Sequence, residues 1–271
     1  MPELPEVETT RRGLEPLLSG QTIRSLEVRQ PRLRWPVPPE LPARLAGARV
    51  RRLSRRAKYL LLETDQSGAL LHLGMSGSLR YCAADTPLRR HDHLILQLEN
   101  GFQVRLHDPR RFGCCLALPP DGAPHPLLVG LGPEPLGPDF DGDWLFRRSR
   151  GRRGPVKAFI MDQAIVVGVG NIYATEALFL AGIRPGRAAG RVTRAEYRRL
   201  AEHIRAVLEA AIEQGGTTLR DFRREDGSHG YFAQTLRVYG RAGLPCPACG
   251  NPLRTRRIGQ RASSYCPACQ K

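Results

Sequence analysis

Short apolar runs broken by turn formers fill the first part of the chain: KYLLLET at 58–64, ALLHLG at 69–74, LILQLENGFQVRL at 94–106 and CCLAL at 114–118. Runs of this length between Gly, Pro, Asn and Asp read as strands, and ENG between two alternating runs marks a hairpin. Ahead of them Val7, Leu14, Leu17 and Leu18 suit one face of a helix, and Pro5 among the acids Glu3, Glu6 and Glu8 suits its first turn. The pattern predicts a leading helix and then a β-sandwich.

Prolines and glycines recur from Pro119 to Pro138, which predicts a loop or linker, and the basic run RRSRGRRG follows at 147–154. Such a run is ordinarily a solvated face; beside a nucleic-acid site it would meet phosphates. After Pro155 the period becomes helical. TRAEYRRLAEHIRAVLEAAIEQGG opens with Thr193 and Glu196 at capping-box spacing and carries Tyr197, Leu200, Ile204, Val207, Leu208 and Ala211 along one face. It is expected to stop at Gly215–Gly216. In VVGVGNIYATEALFLAG, residues Gly168, Val169, Gly170 and Asn171 precede another helix, expected to end near Gly182. The expected class is α+β, with a sandwich domain over 1–133, a linker and basic loop over 134–154, a helical domain over 155–236 and a hairpin module over 237–271.

Charge then sets the partner. Lys and Arg number 42 against 26 Asp and Glu, a net charge of +16, so a polyanion is the default ligand. An anionic membrane surface would attract the same charge, but no apolar run nears the roughly 18 residues of a span. The start, MPELPEVETTRR, lacks the apolar stretch of a signal peptide, so a soluble cytoplasmic protein is expected. Only Lys58, Lys157 and Lys271 are lysine. An amine can release and recover a proton where a guanidinium scarcely does, so a lysine in this arginine-rich chain invites a chemical role, with chance as the alternative.

The most specific motif lies at the end. Cys246-Pro-Ala-Cys249 and Cys266-Pro-Ala-Cys269 stand sixteen residues apart, the four-thiolate spacing of one structural zinc. Disulfides are the alternative, disfavoured by the absence of an export signal and by the further cysteines Cys82, Cys114 and Cys115. Between the knuckles, LRTRRIGQRASSY predicts an arginine-bearing hairpin with Arg261 near its tip, suited to a phosphate backbone. The free amides of a helix start can hold a phosphate beside Asn171, although a tight turn explains the glycines equally well. HLGMSGSLR offers Met75, expected to be exposed among its glycines, and HDPRRFG offers Arg110, Arg111 and Phe112. An apolar side chain on such a loop often plugs a core; in a DNA-binding protein it wedges between base steps while an arginine fills the vacancy of an extruded base. His91, Asp92 and His93 invite a metal reading, but strand alternation puts both histidines on one face simply as phosphate or core contacts.

PELPEVET at the start, RRAKYLLLE, HLGMSGSLR, DPRRFG, GVGNIYATEALF, GYFAQTLRVYGR and the paired CxxC finger with QRASSYC resemble, in order and almost end to end, the bacterial formamidopyrimidine-DNA glycosylase family. The resemblance implies a base-excision repair enzyme, both DNA glycosylase and AP lyase, acting on 8-oxoguanine and formamidopyrimidines in duplex DNA. It implies a helix-two-turn-helix domain before the zinc-finger hairpin, a structural zinc, metal-free chemistry and a monomer working at the nucleoid. Removal of Met1 would free Pro2 as a secondary amine, the family's nucleophile, which attacks C1′ and leaves a Schiff base. Glu3 corresponds to the general acid and base, Glu6 to a supporting group, Lys58 to the proton donor for β-elimination and Arg261 to the phosphate-binding arginine of δ-elimination. Met75, Arg110 and Phe112 correspond to the void fillers, His91, Arg110, Arg152 and Asn171 to DNA backbone contacts, and 217–231 to the loop over the extruded base.

Two rivals remain open at this level. One is an endonuclease VIII-like enzyme for oxidised pyrimidines, against which PELPEVET and DPRRFG speak. The other is a non-catalytic zinc-ribbon DNA-binding protein, which leaves the acids beside Pro2 unexplained.

Overall fold

The computed structural model describes residues 2–120, 122–218 and 236–271. Met1 and most of the stretch 217–231 therefore lie outside the described residues. The chain divides into two compact units, one centred on 1–129 and the other on 130–213 with the C-terminal stretch to Lys271.

In the first unit α1 (Leu4–Leu18) leads, followed by β1 (Ile23–Val28), the short α2 (Leu41–Leu45), β2 (Val50–Arg56), β3 (Tyr59–Thr64), β4 (Gly68–His72), β5 (Ser78–Ala83), β6 (Asp92–Leu98), β7 (Phe102–His107) and β8 (Cys114–Ala117). All strand pairings are antiparallel, forming one sheet in the order β1-β6-β7-β5 and another in the order β2-β3-β4-β8. The ENG turn joins β6 to β7 as expected, with Gly101 at φ +83° supplying the left-handed residue. Alternation buries Leu60 and Leu62 of β3 against Leu26, Leu94, Leu96 and Leu106 of the facing sheet, and Val7, Leu14 and Leu18 of α1 join the same core. Each such leucine contributes about 1.5–3 kcal/mol of apolar burial. Leu17 is only half-buried.

The second unit is helical: α3 (Gly142–Ser149), α4 (Val156–Ile160), α5 (Asn171–Leu180) and α6 (Arg194–Thr218), then the hairpin β9 (Arg254–Ile258) and β10 (Arg261–Tyr265). The stretch 134–154 is not loop throughout. Asp141 caps α3 by accepting from the Trp144 amide at 2.6 Å, and Phe140 and Leu145 enter the second core. On α6 the expected capping box is present, with the Thr193 amide donating to Glu196 Oε2 at 2.8 Å. Tyr197, Leu200, Ile204, Leu208 and Ala211 are buried, Val207 half-buried. The helix does not stop at Gly215–Gly216 but runs to Thr218. Gly215 is buried, and a glycine inside a helix costs only about 1 kcal/mol, which packing offsets.

A glycine is required where α3 meets α6. A Cβ on Gly142 would stand 2.3 Å from Arg198 Cα and 2.4 Å from its backbone nitrogen, so α3 could not approach. Gly142→Ala should destabilise the second unit by about 1–3 kcal/mol, the usual cost of overpacking. Urea denaturation checks this; an unchanged midpoint would show that α3 shifts freely.

Candidate functional site

In the first unit the acids of PELPEVET do begin a helix. Glu3 precedes α1, its amide donates to Glu6 Oε2 at 2.7 Å, and Pro5 occupies the first turn. Glu6 is thereby committed to fixing the backbone of Glu3, whose side chain is 2 % exposed, while Pro2 is half-buried. Lys58 sits in the β2–β3 turn and is 8 % exposed. That turn is tight: Ala57 takes φ +54°, a left-handed conformation that is uphill for alanine. Arg55 holds it by donating from Nη1 to the Ala57 carbonyl at 2.8 Å, and from Nε to Glu8 Oε2 of α1 at 2.9 Å. One guanidinium thus joins the helix beginning at Pro2–Glu3 to the turn bearing Lys58. Burial works to raise the Glu8 pKa, but bonds from Arg11, Arg12 and Arg55 prevail and hold it down at about 2.

His72, at the end of β4, belongs to this neighbourhood although no motif in the sequence assigns it a contact. Burial, and then the charges of Lys58 and Arg34, hold its pKa down to about 4, so the ring is neutral near pH 7. Its Nδ1 accepts from the Gly74 amide at 2.9 Å, which leaves the ring proton on Nε2. Its place beside Lys58 is what the linear motif hides.

The loops with Met75 and with Arg110–Phe112 are interlocked. Gly74 (φ +63°) lies so close that a Cβ would fall 2.4 Å from the Phe112 carbonyl carbon and 2.5 Å from the Gly113 nitrogen. Asp108, fully buried, clasps the second loop by accepting from the Gly113 amide through Oδ2 at 2.7 Å. Between them Arg110, Arg111 and Phe112 are exposed, with the Arg110 guanidinium 4.8 Å from the Phe112 ring centroid. Met75 is half-buried rather than exposed. His91 joins this end of the sandwich, its carbonyl accepting from the Asp108 amide at 3.0 Å and its ring 5.9 Å from those of His93 and His107. Asp92 has structural work: it accepts from Arg80 at 3.1 Å, the Arg89 amide at 3.0 Å and, through its other oxygen, pairs with His107 at 3.0 Å. Among the described residues His91, Asp92 and His93 form no metal cluster.

In the second unit Lys157 is the hub. This ammonium, 1 % exposed, donates to Asn171 Oδ1 at 2.6 Å, to Ser263 Oγ at 2.7 Å and to the Ala262 carbonyl at 3.3 Å. It fixes Asn171 with its amide nitrogen as the remaining donor and ties the start of α5 to the hairpin beside Arg261. The lysine scarcity of the chain was its signal. Further along α5, Glu176, the one charged residue of NIYATEALFL, accepts from the amides of Arg237, Val238 and Tyr239 at 2.8–2.9 Å. Arg261 is exposed next to Gln260, at φ +61°, at the hairpin tip. Arg152 is exposed in the turn before α4; neither guanidinium has a carboxylate partner among the described residues.

Cys246, Cys249, Cys266 and Cys269 bring their Sγ atoms within 4.8 Å of one another, with separations of 3.9 Å (Cys246–Cys269) and 3.5 Å (Cys249–Cys266). A tetrahedron with zinc–sulfur bonds of ~2.3 Å has edges of ~3.8 Å, so the cage fits. Crowding also separates the thiols electrostatically. Backbone and side-chain bonds from Asn251 pull Cys249 down to about 6, and the bond to Cys249 pushes Cys269 up to about 12. A divalent cation removes that conflict by holding all four as thiolates, and the cysteines bind one structural zinc.

Two outcomes follow from these geometries. Cys246→Ser should empty the finger and weaken duplex binding, with a shallower dependence of log Kd on log salt as phosphate contacts are lost. Fluorescence anisotropy across a salt series reads this, while hydrogen exchange on β6 and β7 should stay native; unchanged affinity without zinc would contradict it. The Glu8 value lies below its unfolded value of 4.5, so its contribution to stability is complete above about 4.5 and is lost as the pH falls towards about 2. The thermal midpoints of the native chain and Glu8→Gln should converge over that interval; a constant gap would refute the link.

Family models match along the chain: the formamidopyrimidine-DNA glycosylase N-terminal domain over 1–115, the formamidopyrimidine-DNA glycosylase H2TH domain over 131–223, and a zinc finger found in FPG and IleRS over 243–271. Formamidopyrimidine-DNA glycosylase of Thioalkalivibrio sulfidiphilus is 64 % identical over 271 residues and that of Stenotrophomonas maltophilia (strain K279a) 60 %, each alignment covering 100 % of both chains. The crystal structure of MutM (Fpg) from Thermus thermophilus superposes with a TM-score of 0.85 at 42 % identity, covering 99 % of this chain and 98 % of that one. Lactococcus lactis Fpg in complex with DNA containing FAPY-dG gives 0.89 at 34 %, covering 99 % and 100 %. By sequence, domain content and fold, this chain belongs to the formamidopyrimidine-DNA glycosylase family.

Proposed function

We propose that this chain is a base-excision repair enzyme, a DNA glycosylase and AP lyase that removes oxidised purines, 8-oxoguanine and formamidopyrimidines, from duplex DNA. The observation that carries the assignment of roles is the joining of the α1 start to the Lys58 turn through Arg55. It puts the helix start after Pro2, a buried carboxylate and a buried lysine on one framework, which supports reading Pro2, once freed of Met1, as the amine.

With Met1 removed, the Pro2 nitrogen attacks C1′ of the damaged nucleotide, the glycosidic bond breaks with its electron pair on the base, and Glu3 manages the protons around sugar and leaving group. Glu6 supports Glu3 through the backbone bond. The C1′–O4′ bond then opens, O4′ takes a proton, and the opened sugar is left as a Schiff base on Pro2. This iminium acidifies the C2′ proton, and its loss drives β-elimination, which breaks the bond from C3′ to the phosphate oxygen with Lys58 as proton donor; Arg261 holds phosphate and assists δ-elimination.

Met75, Arg110 and Phe112 fill the space of the extruded nucleotide, and their interlocked loops suit a wedge that must not yield. His91, Arg110, Arg152 and Asn171 contact the DNA backbone, for which guanidinia without acid partners and an oriented amide are fitted. The labour divides between a catalytic sandwich over 1–133, the linker and basic loop over 134–154, a helix-two-turn-helix domain over 155–236 and a zinc finger over 237–271. The enzyme works as a monomer on nucleoid DNA in the cytoplasm, a placement that its charge favours, and no described helix is long and apolar enough to cross a membrane.

Borohydride trapping on a duplex carrying 8-oxoguanine opposite cytosine, followed by mass mapping, tests this reading. The cross-link is expected at Pro2, and retention of Met1, which turns the nitrogen into a tertiary amide, should abolish both activities. Full activity with the terminus proven blocked would overturn the assignment.

A further inference from the structure

Of the three acids in PELPEVET, Glu3 has a proposed chemical role and Glu6 closes the helix cap, but Glu8 has neither. It is nonetheless bonded to three guanidinia. Its Oε1 accepts from Arg11 and from Arg12 at 2.9 Å, and its Oε2 accepts from Arg55 Nε at 2.9 Å. Arg11 and Arg12 lie on α1 with it. Arg55 does not: it stands 47 residues away, on β2.

The geometry at Arg55 goes beyond an ion pair. Its fork engages Glu8 with Nε and the Ala57 carbonyl with Nη1, and that carbonyl belongs to the left-handed residue directly before Lys58. Both side chains are 11 % exposed, so the bridge is little screened by solvent. With Glu8 held down at about 2, the carboxylate is charged throughout the range in which the enzyme can work. Motion of α1 relative to β2 would have to break a charge-assisted bond, and relaxation of the strained turn would have to break its partner.

We propose that Glu8 and Arg55 are positioning residues for the reaction. They hold the helix start bearing Pro2 and Glu3 in register with the turn bearing Lys58, so that amine and ammonium address the same sugar. The inference rests on the roles given to Pro2 and Lys58 above. Lysine cannot replace Arg55, because one ammonium lacks the planar fork that makes both bonds at once.

The test uses the full-length, zinc-loaded protein with Met1 removed, as wild type, Glu8→Gln, Arg55→Lys, Arg55→Met and the Glu8→Gln/Arg55→Met double variant. Single-turnover strand cleavage is measured on a duplex with a preformed AP site, and each rate is divided by the fraction of molecules that borohydride traps at completion. This normalisation removes molecules that failed to fold, which is where a merely structural role would act. Cleavage per competent site should fall about tenfold or more, the usual consequence of a small misplacement of reacting groups. Affinity for a tetrahydrofuran-containing duplex should hold, Arg55→Lys should fall with Arg55→Met, and the double variant should be no slower than Arg55→Met alone. Should Glu8→Gln fail to fold, Arg55→Lys reads the same rate. Wild-type cleavage per competent site in Glu8→Gln and Arg55→Met would overturn the inference. Trapping of the wild type at a residue other than Pro2 would instead defeat the assignment beneath it.

Discussion

Forty-two cationic side chains repel one another in any compact state, and two buried carboxylates, Glu8 and Asp92, offset part of that repulsion by gathering cations around them. Glu8 gathers Arg11, Arg12 and Arg55; Asp92, with no side-chain exposure, gathers Arg80, Arg105 and His107. Removing a largely buried member of either set, such as Arg55 or Arg105, strands a charge and typically costs about 3–5 kcal/mol. Arg110, Arg152 and Arg261 carry no carboxylate partner among the described residues, so their charge stays available to a phosphate backbone. Acid placement, more than the surplus of base, decides which arginines serve the fold and which face a polyanion.

A second regularity ties strain to chemistry. Among the described residues the non-glycine positions at positive φ are Ala57, Arg111 and Gln260, neighbours of Lys58, of Arg110 and Phe112, and of Arg261. Each left-handed residue costs about 1–2 kcal/mol. Each lies close to a fixed polar contact: Arg55 on the Ala57 carbonyl, the Asp108 carboxylate on the Gly113 amide, and the Lys157 ammonium on the Ala262 carbonyl. Strained turns survive where their surroundings over-determine them, and here those turns present the groups assigned to proton transfer, wedging and phosphate binding.

Much of this was legible in the chain. Strand runs of period two, the ENG hairpin, the capping box at Thr193 and Glu196 and the CxxC pairs are local signals, and each appears as the element its spacing implies. The misread end of α6 came from trusting glycine as a stop where a buried Gly215 lets the helix continue. Met75 looked exposed in a glycine loop and is half-buried, because Gly74 lets its loop settle against Phe112 and Gly113.

The sequence by itself determined most of the strands, the leading helix, the zinc ligands, the basic character and the order of the motifs, because these depend on neighbours a few positions apart, whereas α3 inside the expected linker was not legible in it. Only the tertiary structure decided what those motifs lean on: Glu8 on Arg55, Lys157 on Ser263, and Glu176 on the amides of 237–239, partners 47, 106 and 61 to 63 positions apart. In a chain with this many arginines no pattern singles out Arg55. A charge chooses its partner by distance in space, and that distance exists only once the apolar cores have closed.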